Sequence, residues 1–243
     1  MRIDSTSAET SSNSNFAFDI NQGWGQNWGS TYMSWMFKRA KGFFDVVAYT
    51  GDGVAGRTVN HSLGVAPEMI WVKRRNSAGY YWAVYYGVNT SLLQLNENAA
   101  PITAQYHWNS TNPTDEVFYL GSQGQVNRSP ETYIAYRFAT LAGISKVGSF
   151  TGNGTNQNIA CGVSGGARFV LIKRTDATGD WYIWDTTRGI VTGNDPHLSL
   201  NTTAAEVTSD DSIDPESAGF TVNQVAATNI NVSSAEYIFL AIA

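Results

Sequence analysis

The sequence predicts an all-β protein built as two tandem antiparallel β-sandwich domains, and three observations predict it. Charged residues make up only 14% of the 243, with little sign of helix. Solvent-facing helices need Glu, Lys, Arg and Ala, and no run here carries the i, i+3, i+4, i+7 apolar spacing of an amphipathic one. Short β-branched and aromatic runs recur instead, between clusters of turn residues. Finally, one unit of about 100 residues occurs twice.

The strands expected in order are Glu68–Lys73, Trp82–Tyr86, Thr132–Phe138, Arg168–Lys173 and Tyr237–Ile242. Gly51-Asp-Gly53, Ser77-Ala-Gly79, Gly152-Asn-Gly154 and Ala177-Thr-Gly179 punctuate them. Glycine supplies positive φ in such turns, and Asn or Asp tolerates it. Phe44–Gly53 matches Ser145–Gly154 at an offset of 101, and Glu68–Arg74 matches Arg168–Arg174 at 100. Gly79 and Trp82 fall opposite Gly179 and Trp181, and Leu95-Asn96 falls opposite Leu200-Asn201. Glu131-Thr-Tyr-Ile134 answers Ala235-Glu-Tyr-Ile238. Because the blocks keep their order, residues 42–141 are expected to form one sandwich and 142–243 a second.

A partial third match lies upstream, where Ser30–Phe37 resembles Glu131–Phe138. Residues 1–41 therefore read as a polar leader plus the closing strand of a preceding copy whose body is missing. Aromatics crowd this stretch, among them Trp24, Trp28, Tyr32, Trp35 and Phe37. An unpaired strand of that kind would invite aggregation. It is expected to add to the edge of a neighbouring sheet, in this chain or another subunit. Trp28, Tyr32, Trp35 and Phe37 would then be assembly residues, and donation between chains would make a homo-oligomer.

Composition narrows the function classes. Lys and Arg number 15 against 20 Asp and Glu, so the formal net charge is 15 − 20 = −5. That argues against a general nucleic-acid binder, which needs a basic face for phosphates. No stretch approaches the ~18 apolar residues of a membrane span, so no membrane partner is expected. A single cysteine, Cys161, excludes an internal disulfide framework and a four-cysteine zinc site. The polar N-terminus lacks the apolar segment of a secretory signal.

Tyr49-Thr-Gly-Asp-Gly53, Ser62-Leu-Gly-Val-Ala-Pro-Glu-Met-Ile-Trp-Val-Lys73 and Thr132-Tyr-Ile-Ala-Tyr136 carry a resemblance. They look like a repeat found in large virion proteins of marine bacteriophages, mostly tail fibres or structural proteins, often with lectin domains upstream. The resemblance covers about residues 30–243. The first copy matches more closely, and the second departs where Cys161-Gly-Val-Ser-Gly-Gly166 replaces the Leu-Gly-Val-Ala-Pro turn. It implies a virion localisation, in a tail fibre or appendage or as an exterior capsid decoration, with other virion proteins as partners. Closed symmetry such as a trimer follows from the resemblance alone. It brings no catalytic residues and no cofactor. The sandwich is expected to be of jelly-roll or lectin-like kind.

Each candidate for chemistry has a structural rival. Gly162-Val-Ser-Gly-Gly166 fits G-x-S-x-G, but a nucleophile elbow needs a strand–turn–helix setting, so a glycine-rich turn is the better reading. His61, His107 and His197 show no zinc spacing and are expected on exposed loops. Asp210-Asp-Ser-Ile-Asp-Pro-Glu216 and Asp115-Glu116 read as solvated loops, with a calcium site or a glycosidase pair as alternatives. Lys73-Arg74-Arg75 and Lys173-Arg174 are expected to finish buried strands where they meet water, an anion clamp being the rival. Strand alternation places Trp82, Val84, Trp181 and Ile183 on a core face and Tyr81, Tyr85, Tyr182 and Trp184 on the other. Three readings stay open for that second aromatic face: covered by a loop, a subunit interface, or a platform for host-surface glycan. The leading expectation is a non-enzymatic virion protein. The rival is a polysaccharide-active tail protein that cuts glycan with loop carboxylates.

Overall fold

The computed structural model describes residues 2–10 and 35–243. The first half runs β1 (Phe44–Thr50), β2 (Arg57–Asn60), β3 (Met69–Arg74), β4 (Ala83–Tyr85), β5 (Ser91–Gln94), β6 (Ile102–Thr103) and β7 (Val117–Leu120). A one-turn helix, α1 (Gly124–Asn127), and β8 (Thr132–Phe138) complete it. The second half runs β9 (Ser145–Thr151), β10 (Gln157–Ala160), β11 (Phe169–Arg174), β12 (Trp181–Asp185), β13 (Leu198–Ser199), β14 (Ile213–Glu216), β15 (Gly219–Val222) and β16 (Glu236–Ile242). The protein is all-β, and every strand pairs antiparallel with its neighbours.

In the first half a six-stranded sheet has the order β1-β8-β3-β4-β5-β6 and faces the pair β2-β7. In the second, a five-stranded sheet ordered β13-β12-β11-β16-β9 faces β10-β15-β14. Read from the first strand of each half, both large sheets run first, last, third, fourth, fifth. Register agrees as well: Trp71 pairs with Tyr136 and Val84, and Leu171 pairs with Leu240 and Ile183. In both halves the first and last strands are neighbours, Phe44 opposite Phe138 and Ser145 opposite Ile242.

Alternation along each central strand feeds two cores at once. Ile70 and Val72 of β3 point with Tyr85 and Tyr133 toward Phe118 and Leu120 of β7, closing the first sandwich. Val170 and Ile172 of β11 point with Trp184 and Tyr237 toward Phe220 and Val222 of β15, closing the second. The opposite faces, with Met69 and Trp71 on one sheet and Phe169 and Leu171 on the other, meet each other in a central core. Among the described residues the central core holds 16 buried side chains, against 17 and 13 in the outer two. The face where the two halves meet is thus an apolar core of the same size as those inside them, each large side chain in it worth ~1.5–3 kcal/mol when removed from water. The layers run small sheet, large sheet, large sheet, small sheet.

Most of the expected closing strand at 30–37 lies outside the described residues. Trp28 and Tyr32 lie outside the described residues. Trp35–Arg39 are not a strand, and their side chains rather than their backbone make the contacts. Phe37 sits among Phe43, Phe44, Phe138 and Phe169, with ring centroids 5.5–6.5 Å apart. Trp35 meets Phe169 edge-on at 6.2 Å, and its indole N–H donates to Asp185 at 3.1 Å. Trp35 and Phe37, both half-buried, pack their rings against the central core, and removal of that apolar area from water is what holds this part of the chain.

Candidate functional site

Corresponding groups in the two halves hold one part of the chain against another. Asn127 and Asn231 are fully buried beneath the two glycine turns. The Asn127 amide shares its hydrogens among the Asp52 carboxylate (3.1 Å) and the carbonyls of Val54 (2.9 Å) and Gly121 (3.0 Å), while its oxygen accepts from the Asp52 N–H at 3.1 Å. Asn231 does the same for Asn153 (3.1 Å), Thr155 and Val222 (3.3 Å), accepting from the Asn153 N–H at 2.9 Å. Gly51 and Gly152 lie so close to the carbonyls of Arg128 and Val232 that any Cβ would collide with them. Beside each turn a tyrosine hydroxyl bridges the backbone. Tyr133 donates to Gly124 O and accepts from Arg128 N, as Tyr237 does with Asn229 O and Val232 N.

A second duplicated feature forms the candidate site, at the hairpins after β3 and β11. Lys73 and Lys173 are both completely buried, where charges at the water's edge were expected. Each ammonium donates back into its own hairpin, Lys73 to Tyr80 O and Lys173 to Gly179 O at 2.7 Å. Burial lowers both to about 8. The tryptophan that follows donates its backbone N–H to the side-chain oxygen of the next asparagine, Trp82 to Asn96 and Trp181 to Asn201, both at 2.8 Å. Three donors then remain on each hairpin, and each set is taken up by an extended segment from elsewhere.

On the second hairpin that segment is Gln94–Asn98 of the first half. The Trp181 indole donates to Gln94 O at 2.9 Å, and Lys173 (3.1 Å) and the Gly179 N–H (2.9 Å) both donate to Asn98 O. On the first hairpin the segment is Arg2–Thr6. The Trp82 indole donates to Arg2 O at 3.0 Å, Lys73 to Ser5 O at 3.5 Å and the Gly79 N–H to Thr6 O at 3.1 Å. Arg75 continues the contact, its guanidinium on Glu9 at 2.7 Å and its carbonyl accepting from the Glu9 N–H. Between this segment and the sheets lies an apolar cavity of about 740 Å³, lined among others by Ile3, Trp35, Phe37, Trp71, Trp82 and Leu200.

The second aromatic face is covered from within the chain. Tyr85 and Trp184 are 4% and 0% exposed, and Tyr81 and Tyr182 pack partly buried against the same outer cores. Loops do the covering, His107, Trp108 and Asn112 over Tyr81 and Tyr85 and His197 and Ala227 over Tyr182 and Trp184, so none of the four is an open platform. Tyr81 meets His107 at 3.0 Å, and burial pushes Tyr182 up to about 12.

The histidines differ from expectation in part. His107 and His197 are buried rather than exposed. Burial brings His107 down to about 4, which keeps it neutral. His61 is half-buried and faces Thr114 O at 3.2 Å. Ser164 lies in a turn that leads into β11, with Val163 bridged to Gly143, so the setting of a nucleophile elbow is not there. Asn223 holds Asp211 (2.6 Å) and Asp214 (3.0 Å), and Asp210 lies 3.2 Å from His197. Asp115 and Glu116 are exposed. Among the described residues no group of three or more His, Cys, Asp or Glu is placed to hold a metal ion. Cys161 is buried, and burial pushes its thiol up to about 12.

Sequence reasoning singled out the lysines and tryptophans but missed the segment they hold. The signal available was the recurrence of Lys, Gly and Trp at near-equal spacing in both copies.

Residues 3–243 match one family, a domain of unknown function designated DUF7483, and the chain belongs to that family. No curated protein and no solved structure matches it.

Proposed function

We propose that the chain is a non-enzymatic structural component of a bacteriophage virion, in a tail fibre or appendage or on the exterior of the capsid. The observation that supports this reading is the duplicated hairpin. Its buried Lys, Trp and Gly donors are spent on gripping the backbone of another segment, which is the chemistry of assembly rather than of turnover. Backbone carbonyls offered to fixed donors give affinity without a reactive group. A host-surface glycan would have to be met elsewhere than at Tyr81, Tyr85, Tyr182 and Trp184. The test is antibody labelling of purified particles of the phage that encodes the chain. Gold on the tail or capsid exterior is expected. A chain confined to the soluble fraction of infected cells, or one that depolymerises host polysaccharide, would overturn the reading.

A further inference from the structure

We infer that the hairpin after β3 is a docking site for residues 2–9 of a second copy of this chain, exchanged for the chain's own. The site repeats one already filled across a boundary. Gln94 and Asn98 accept from Trp181 and Gly179 as Arg2 and Thr6 accept from Trp82 and Gly79, and both pairs are related by the same offset, 94 − 2 = 98 − 6 = 92. The apolar residue between them agrees too: Leu95 is buried in the central core, and Ile3 packs against it. Residues 2–6 thus stand in for the segment that a neighbouring copy of the repeat supplies to the second hairpin.

Trans supply costs little. The donors and acceptors are identical whichever copy provides the segment, so exchange changes only the entropy of the connection. Residues 11–34 join the segment to the body. Covalent geometry caps the span of those 24 residues at roughly 80 Å, so chain length does not forbid exchange. The site favours an occupant: with the segment seated Lys73 is 0% and Trp82 4% exposed, and its removal would trade the apolar contact of Ile3 for water. The inference does not depend on the virion reading, because it concerns the purified chain in solution.

Two full-length variants test it. Lys73→Met with Trp82→Phe disables the hairpin and leaves the segment intact. Ile3→Asp with Glu9→Arg disables the segment and leaves the hairpin open. Neither can exchange with itself, so each is expected to run as a single chain of 26.5 kDa. Mixed, the free segment of one should enter the open hairpin of the other, and native mass spectrometry should read twice that mass with one copy of each. A mixture that stays at the single-chain mass would overturn the inference. Should either variant fold poorly, a synthetic peptide of residues 1–10 provides the second measurement. It should bind the open-hairpin variant saturably, and no binding would equally overturn the inference.

Discussion

The hairpins after β3 and β11 present the same lysine, glycine and tryptophan donors, yet one grips Arg2–Thr6 and the other Gln94–Asn98. The two segments share no residue position for position, RIDST against QLNEN. What the duplication preserved is therefore the receptor and the spacing it reads. Carbonyl oxygens are present whatever the side chains, so the ligand was free to change its sequence while keeping one apolar residue, Ile3 or Leu95, for the central core.

The halves differ most in charge, and removing that difference should have the largest effect. Asp45 and Arg137 face one another across β1 and β8 at 2.7 Å, 3% and 0% exposed. At the matching place in the second half stand Lys146 and Ala241. Asp45→Ala leaves a guanidinium buried without its partner and should cost about 3–5 kcal/mol in urea unfolding. Lys146→Ala should stay within about 0.5 kcal/mol. Equal losses at the two positions would show that the buried pair carries no special weight.

The turn clamps should instead behave alike. Asn127→Ala and Asn231→Ala each strand several buried backbone groups, and each should lose about 2–3 kcal/mol. Unfolding free energies of the two variants that differ by more than about 1 kcal/mol would break the equivalence of the turns.

Acid provides the smallest and most selective probe. Burial raises the Asp45 carboxyl, but the Ser62 amide and the Arg137 and Arg39 guanidiniums outweigh it and bring it from its ordinary 3.8 to about 2. A lowered folded value means stability that is complete above the unfolded value and lost as pH falls through the folded one. Between pH 5 and 2.5 this group should withdraw about 1–2 kcal/mol. Melting curves across that range should fall less steeply in Asp45→Asn than in the parent chain. Parallel falls would place the acid sensitivity elsewhere.

Much of this was legible in the sequence because the duplicated residues have duplicated tasks. Gly51-Asp-Gly53 and Gly152-Asn-Gly154 announced the turns, and the matched Asn96 and Asn201 showed that a residue recurs there without showing that it fixes a tryptophan. Period-two alternation correctly separated Trp82 and Val84 from Tyr85, but alternation says only that a strand has two faces. It does not say that both are buried. The uninterrupted runs Met69–Val72 and Phe169–Ile172 did carry that information, since strands covered on both sides read as continuous apolar stretches. The buried lysines were hidden because a lysine beside an arginine at a strand end reads as surface. The Arg2–Thr6 segment was hidden for a deeper reason: it is held mainly by backbone atoms, which leave little trace in residue identity.

The neighbouring placement of first and last strands sets how the protein would carry load. The chain enters each half at Phe44 or Ser145 and leaves it opposite, at Phe138 or Ile242, on the same end of one strand pair. Tension applied between those points falls on a single rung of the ladder at a time, and each rung is worth only ~1 kcal/mol. The strands peel like a zipper rather than shearing together.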